Sequence, residues 1–164
     1  MHYLGIDPGW KNLGVVLMDQ DGKILLSKTV DCSGFATLAE AVDDAIPAGI
    51  PIRGAFMERY VTYGRGTPNK DTESTQKVIG ALEYALQKRG VKVDLWRAID
   101  WKTILCKHLV VTKGFSNPSK TMDKKFSSAA AKAASGASAV NSHEADATCL
   151  CYMAWRKYGN ETVL

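Results

Sequence analysis

The sequence predicts an α/β domain built on a mixed five-stranded sheet, three antiparallel strands and then two parallel ones, with helices on both faces. Three observations predict it. Near the N-terminus stand three apolar runs, with a strong hairpin signal, Asp21-Gly22, between the second and third. Further on, short apolar runs alternate with longer segments of helical period. The resulting order of three strands, helix, strand, helix, strand and helices is that of a mixed sheet with helices packed against it.

Residues 3–7 (YLGID) and 13–19 (LGVVLMD) predict strands, and the second meets a third at 23–30 (KILLSKTV) across a two-residue turn. Apolar spacing in FATLAEAVDDAI predicts a helix over 35–46 behind Ser33, stopped by Pro47, Gly49 and Pro51. IRGAFMER at 52–59 predicts a fourth strand, buried by its composition. TYGRGTPNKD at 62–71 predicts a loop, and Thr72 to Arg89 a long helix that Gly90 stops. VKVDLW at 91–96 is the fifth strand, followed by a short helix, DWKTILCKHL, at 100–109. Asn117-Pro118 predicts the cap and first position of a basic helix, PSKTMDKKFSSAAAKAA, which SGAS at 135–138 breaks. The final helix runs through NSHEADATCLCYMAWRKYG, with Asn141 as cap and Gly159 as stop. No internal repeat is visible.

A chain of 164 residues is expected to form one domain, 1–164, able to bury a core without disulfides. With 46% hydrophobic and 23% charged residues the composition is that of a globular protein. A net charge of +4 permits a polyanionic partner without demonstrating one. No signal segment or run of about 18 apolar residues is present, so the expectation is a soluble protein without membrane contact. Cys32, Cys106, Cys149 and Cys151 form no C-x-x-C pair and read as reduced, mostly core thiols.

The chemistry is carried by acids. Asp7 ends the first strand and is followed by Pro8-Gly9, which turn the chain sharply and hold the carboxylate at the strand end. Glu58 ends the fourth strand on the face shared by Ile52, Gly54 and Phe56. An acid emerging into solvent as a strand finishes is the competing reading for each. His143 and Asp146 stand three apart at the start of the last helix, on a face that Ala147, Leu150 and Ala154 continue toward the core. Glu144, third after Asn141, reads as the acid of a capping box rather than a catalytic group. Three carboxylates and an imidazole suit hard divalent cations, which relieve the repulsion among the acids. Two such ions about 4 Å apart can activate water and stabilise the departing oxygen of a phosphodiester.

GIDPG at 5–9, the strand-end acid of AFMERY at 55–60 and HEADA at 143–147 make the chain resemble the RuvC-type Holliday junction resolvases of the retroviral-integrase and RNase H superfamily. The resemblance spans nearly the whole chain. It implies an RNase H-like fold, and a structure-selective endodeoxyribonuclease that cuts two strands of like polarity across a four-way DNA junction. It implies that Asp7 bridges two Mg²⁺ (or Mn²⁺) ions, that Glu58 holds one, and that His143 with Asp146 holds the other. His143 stands where some members have Asp; it removes one negative charge and shifts metal preference toward Mn²⁺. A homodimer is implied, its symmetry matching the junction, with the helix from Thr72 to Arg89 as its face. There Ala81, Leu82, Ala85 and Leu86 serve either as contacts or as core.

Lys102 and Lys120 match positions where the family places phosphate-contacting or catalytic lysines, Lys120 being the catalytic candidate. With Lys107, Lys113, Lys124 and Lys125 they otherwise read as a solvated basic face; under the resemblance they become a DNA track. Val61 stands where members often stack an aromatic on an unpaired base, so Tyr60 or Tyr63 takes that role. Arg65 meets a phosphate or is a plain loop arginine. The rivals are another RNase H-like nuclease cutting flaps or RNA:DNA hybrids, and a junction-binding module that does not cut. A sugar kinase or actin-like ATPase needs a second lobe for which the chain has no room. A cytoplasmic setting is expected, associated with a nucleoid or in a phage host, with an organelle as the alternative. A branch-migration partner is compatible with the sequence but not readable from it.

Overall fold

The computed structural model describes residues 1–60, 70–119 and 121–159. Tyr63, Arg65 and Lys120 lie outside the described residues, as does most of the expected 62–71 loop. The strands are β1 (His2–Asp7), β2 (Leu13–Met18), β3 (Ile24–Val30), β4 (Ile52–Glu58) and β5 (Lys92–Trp96). The helices are α1 (Leu38–Ala45), α2 (Lys70–Lys88), α3 (Ala98–Lys113), α4 (Lys124–Ser135) and α5 (Ser142–Gly159). The sheet runs β3-β2-β1-β4-β5, with β1–β2 and β2–β3 antiparallel and β1–β4 and β4–β5 parallel; the mixture of three antiparallel and two parallel strands is the one the sequence predicts.

Alternation along the central strands sends Leu4, Ile6, Val15, Leu17, Ala55 and Met57 to one face, where Val42 of α1 and Val78, Leu82 and Leu86 of α2 cover them. Tyr3, Val16, Met18 and Phe56 point the other way, into a core closed by Trp101, Leu105 and Leu109 of α3, Phe126 and Ala130 of α4, and α5. Helices therefore cover both faces. The four cysteines are free. Cys149 and Cys151 turn to opposite neighbours, the Ser127 carbonyl and the Tyr3 carbonyl. No helix among the described residues is long and apolar enough to cross a membrane.

Several boundaries differ from the expectation. The β2–β3 connection is longer than a two-residue turn. Asp19 Oδ1 accepts the N–H groups of Asp21 and Lys23, both at 2.9 Å, and Gly22 supplies a left-handed residue at φ 77°. Helix α1 starts at Leu38, because Thr37 and Glu40 close a reciprocal capping box; a short 3₁₀ turn, Cys32–Gly34, precedes it. Helix α3 is longer than expected, reaching Lys113 before Gly114 ends it at φ 62°. Asn117-Pro118 does not open α4. Asn117 Oδ1 binds Ser119 N–H locally, and Asp123 caps the helix by accepting from the Lys125 and Phe126 N–H groups. Gly136 ends α4 within the SGAS segment, as expected.

Candidate active site

The site begins with strand register. β1 and β4 pair in parallel with Ile6 opposite Met57, so the next residues, Asp7 and Glu58, end adjacent strands side by side. Their side chains follow the face of Tyr3 and Phe56, toward α3 and α5. Asn141 starts α5 by accepting the N–H groups of His143 and Glu144 at 3.0 and 2.9 Å. The backbone of α5 then lies directly on β1 and β2. A Cβ at Gly5 would strike the Ala147 carbonyl and the Cys151 backbone, and one at Gly14 the His143 carbonyl. Gly14 pairs with Asp7 across β1–β2, so this close approach carries the first turn of α5 to the Asp7 carboxylate.

Oxygens of Asp7, Glu58 and Asp146 all lie within 4.8 Å of one another. His143 Nδ1 is 2.8 Å from Asp7 Oδ2. Trp101 Nε1 donates to Glu58 Oε2 at 2.9 Å, while Lys102 Nζ stands 3.3 Å from Asp146 Oδ1. That oxygen is shut off from solvent and has no aligned hydrogen-bond donor. Burial, and then the charges of Asp7 and Asp146, push Glu58 up to about 7. Burial also raises Asp7 above the usual carboxylate range, and the hydrogen bond that His143 donates to the Asp7 carboxylate raises His143. An orphaned carboxylate oxygen and two acids whose charged forms burial penalises are the features a divalent cation would relieve. The three clustered carboxylates suit a hard divalent cation.

Asp7, Glu58 and Asp146, from three distant segments, therefore meet, whereas His143 touches the group through Asp7 and is not one of its mutually close ligand atoms. Lys102 does not lie on an exposed basic face; it is buried beside Asp146, its ammonium 5.0 Å from the Trp101 ring centroid. Lys107, Lys113, Lys124 and Lys125 are exposed. Lys124 is near enough to His143 to oppose its protonation, whereas Lys113 ends α3, about 16 Å along the helix from Lys102 at 1.5 Å per residue. Tyr60 is 44% exposed just beyond Glu58. A recess of about 200 Å³ opens beside His143, lined by Gly9, Trp10, Lys11, Asn12, Asp71 and Thr75.

Glu144 departs from the capping-box reading. It is buried, and its carboxylate accepts from Ser27 Oγ at 2.7 Å, Thr29 Oγ1 at 3.3 Å and Asn141 Nδ2 at 3.1 Å, tying the start of α5 to β3. Sequence reasoning passed over Trp101 as the partner of Glu58. The available signal was its place at the head of the Trp101, Leu105, Leu109 stripe, immediately after the fifth strand.

No protein-family model matches the chain, and no curated protein sequence matches it. Solved structures do. Thermus thermophilus RuvC in complex with a Holliday junction substrate superposes with a TM-score of 0.65 at 19% identity, over 93% of this chain and 91% of that one. Thermus thermophilus RuvC alone gives 0.62 at 19%, over 93% and 92%. The yeast mitochondrial Holliday junction resolvase Ydc2 gives 0.56 at 18%, over 96% and 79%. With the sheet order and the helices on both faces, this likeness establishes the fold: the chain carries the RNase H-like α/β fold of the RuvC-type resolvases.

Proposed function

We propose that this chain is a single-domain, divalent-metal-dependent endodeoxyribonuclease that resolves four-way DNA junctions by hydrolysing phosphodiesters symmetrically in two strands. The observation that carries the reading is the convergence of Asp7, Glu58 and Asp146 from two strand ends and one helix. It is supported by a fold shared with proteins that are themselves Holliday junction resolvases. A module that only bound DNA would gain nothing from clustered acids facing a polyanion.

Asp7, Glu58, Asp146 and His143 would hold two Mg²⁺ or Mn²⁺ ions, which when bound supply Lewis-acid stabilisation of the phosphoryl charge and lower the pKa of water. The chain's own groups do the positioning. Trp101 fixes the Glu58 carboxylate through its indole N–H. Lys102 neutralises Asp146 in the resting protein and, once that carboxylate is engaged elsewhere, presents its ammonium to an arriving phosphate. Lys107, Lys113, Lys124 and Lys125, with Lys120 and Arg65, supply salt-sensitive phosphate contacts, and Tyr60 or Tyr63 stacks on an unpaired base. The protein acts as a homodimer in a DNA-containing compartment, in keeping with the two-fold symmetry of the junction.

The test is purified protein on four-way junction, flap and RNA:DNA hybrid substrates with Mg²⁺. Paired nicks in junction strands of like polarity are expected, and dominant hybrid or flap cleavage overturns the resolvase reading. Asp7→Asn and Asp146→Asn are expected to abolish cleavage while retaining junction binding in mobility-shift assays. Unimpaired cutting by either variant overturns the metal-site assignment.

A further inference from the structure

A second recess, of about 510 Å³, opens among the C-terminal parts of α3 and α4, the later turns of α5 and the β2–β3 turn. On α5, Arg156 lies ten residues past Asp146, about 15 Å along the axis, so this recess is separate from the acids. Three basic side chains line it, Arg156, Lys113 and His108, against one acid, Asp21, which is exposed on the turn. Among the described residues Arg156 forms no ion pair. Its Nε is shut off from solvent without a hydrogen-bond acceptor. The guanidinium stands 6.0 Å from the Trp155 ring centroid, a contact that leaves the Nε–H unmatched. His108 Nε2 is 3.2 Å from the Tyr152 hydroxyl, a pair that can donate one further proton into the recess.

We propose that this recess is a binding site for a phosphate-type oxyanion, held by the guanidinium of Arg156, the ammonium of Lys113 and the His108–Tyr152 pair. The planar fork of an arginine matches phosphate oxygens, and this guanidinium has no carboxylate partner among the described residues for an anion to displace. Burial, and then the charges of Arg156 and Lys113, hold the His108 imidazole below its ordinary range, a crowding that a bound anion would reverse. The volume exceeds that of one phosphate group, so a diphosphate, or a phosphodiester with part of its sugar, fits the space. This site lies apart from the acids and shares only Lys113 with the proposed DNA track, so Arg156 and His108 report on it separately from the nuclease reading.

The experiment is a nuclear magnetic resonance titration of the full chain, without metal, reading the His108 ring and the Arg156 Nε–H. One arm adds pyrophosphate and the other a short single-stranded DNA oligonucleotide. Saturable shifts at both residues, with the His108 pKa rising, are expected. Response to pyrophosphate identifies a small phosphorylated molecule as the ligand source, and response to the oligonucleotide alone identifies a nucleic-acid backbone. Arg156→Gln and the exposed Lys113→Gln should each weaken binding by about tenfold, the second serving where the first disturbs folding. Absence of a shift with either probe, or binding unchanged in both variants, overturns the proposal.

Discussion

Burial and neighbouring acids hold the Glu58 carboxyl at about 7 against a usual 4.5, so between those values the folded, metal-free chain keeps a proton that the unfolded chain has released. Stability then falls as pH rises from about 4.5 to about 7, and the whole cost, about 3 kcal/mol at 1.4 kcal/mol per pH unit, is present above that window. Glu58→Gln removes the titration while keeping the shape. In the presence of a chelator the variant should match the parent near pH 4 and exceed it by about 1–3 kcal/mol at pH 8 in urea unfolding. Mg²⁺ should reverse the order at pH 8, stabilising the parent and leaving the variant almost unmoved. A variant less stable than the parent at pH 8 in chelator would show that burial of this acid is already compensated. Asp7 and Glu58 were legible because proline, glycine and strand alternation fix where such acids stand. The roles of Trp101 and Lys102 were not, because the closeness of the first turn of α3 to the end of β4 depends on tertiary packing.

At the scale of elements, α5 delivers two of the four ligand candidates, and its first turn is anchored by polar contacts. Asn141 both caps the helix and donates to Thr29 Oγ1 at 2.8 Å, and Glu144 gathers Ser27, Thr29 and Asn141. Glu144→Ala leaves these hydroxyls without their acceptor and should destabilise the chain by about 1–3 kcal/mol. It should also raise the Mg²⁺ concentration needed for half-maximal cleavage, because His143 and Asp146 lose their tether to β3. Glu144→Gln, which keeps one acceptor oxygen, should fall between parent and Ala. An unchanged metal requirement in a folded Ala variant would limit Glu144 to a structural role. The Asn141 cap was readable from residue type. Two of the three partners of Glu144, Ser27 and Thr29, stand on β3, more than a hundred positions away, and the short sequence spacing to Asn141 favoured a local capping box instead. The same bias toward local signals placed the start of α4 at Asn117-Pro118, where Asp123 in fact holds the better-placed cap.

Over the whole molecule, the mixed five-stranded sheet with helices on both faces followed from the alternation of hydrophobic period, whereas the expected dimer face on α2 rests on the family resemblance alone. Leu82 and Leu86 are core residues of α2, leaving partly covered Ala81 and Ala85 around Tyr84, which is 68% exposed. These three residues border a groove of about 600 Å³ shared with Leu38 and Val42 of α1. If the homodimer forms through this face, Tyr84→Asp should weaken association by more than about tenfold in light scattering. It should also replace paired incisions with single, uncoupled ones. A variant that stays dimeric moves the interface elsewhere.

Where α5 crosses Gly5 and Gly14, main chain rests on main chain, with no cushion of side-chain atoms to swell or shrink as residues are exchanged. Leucines and methionines in the two hydrophobic layers can be traded and the outer helices will shift to suit. The gap between the carboxylates from Asp7 and Asp146 is instead gauged by the thickness of a bare polypeptide, a dimension that evolutionary drift in the remaining core leaves untouched.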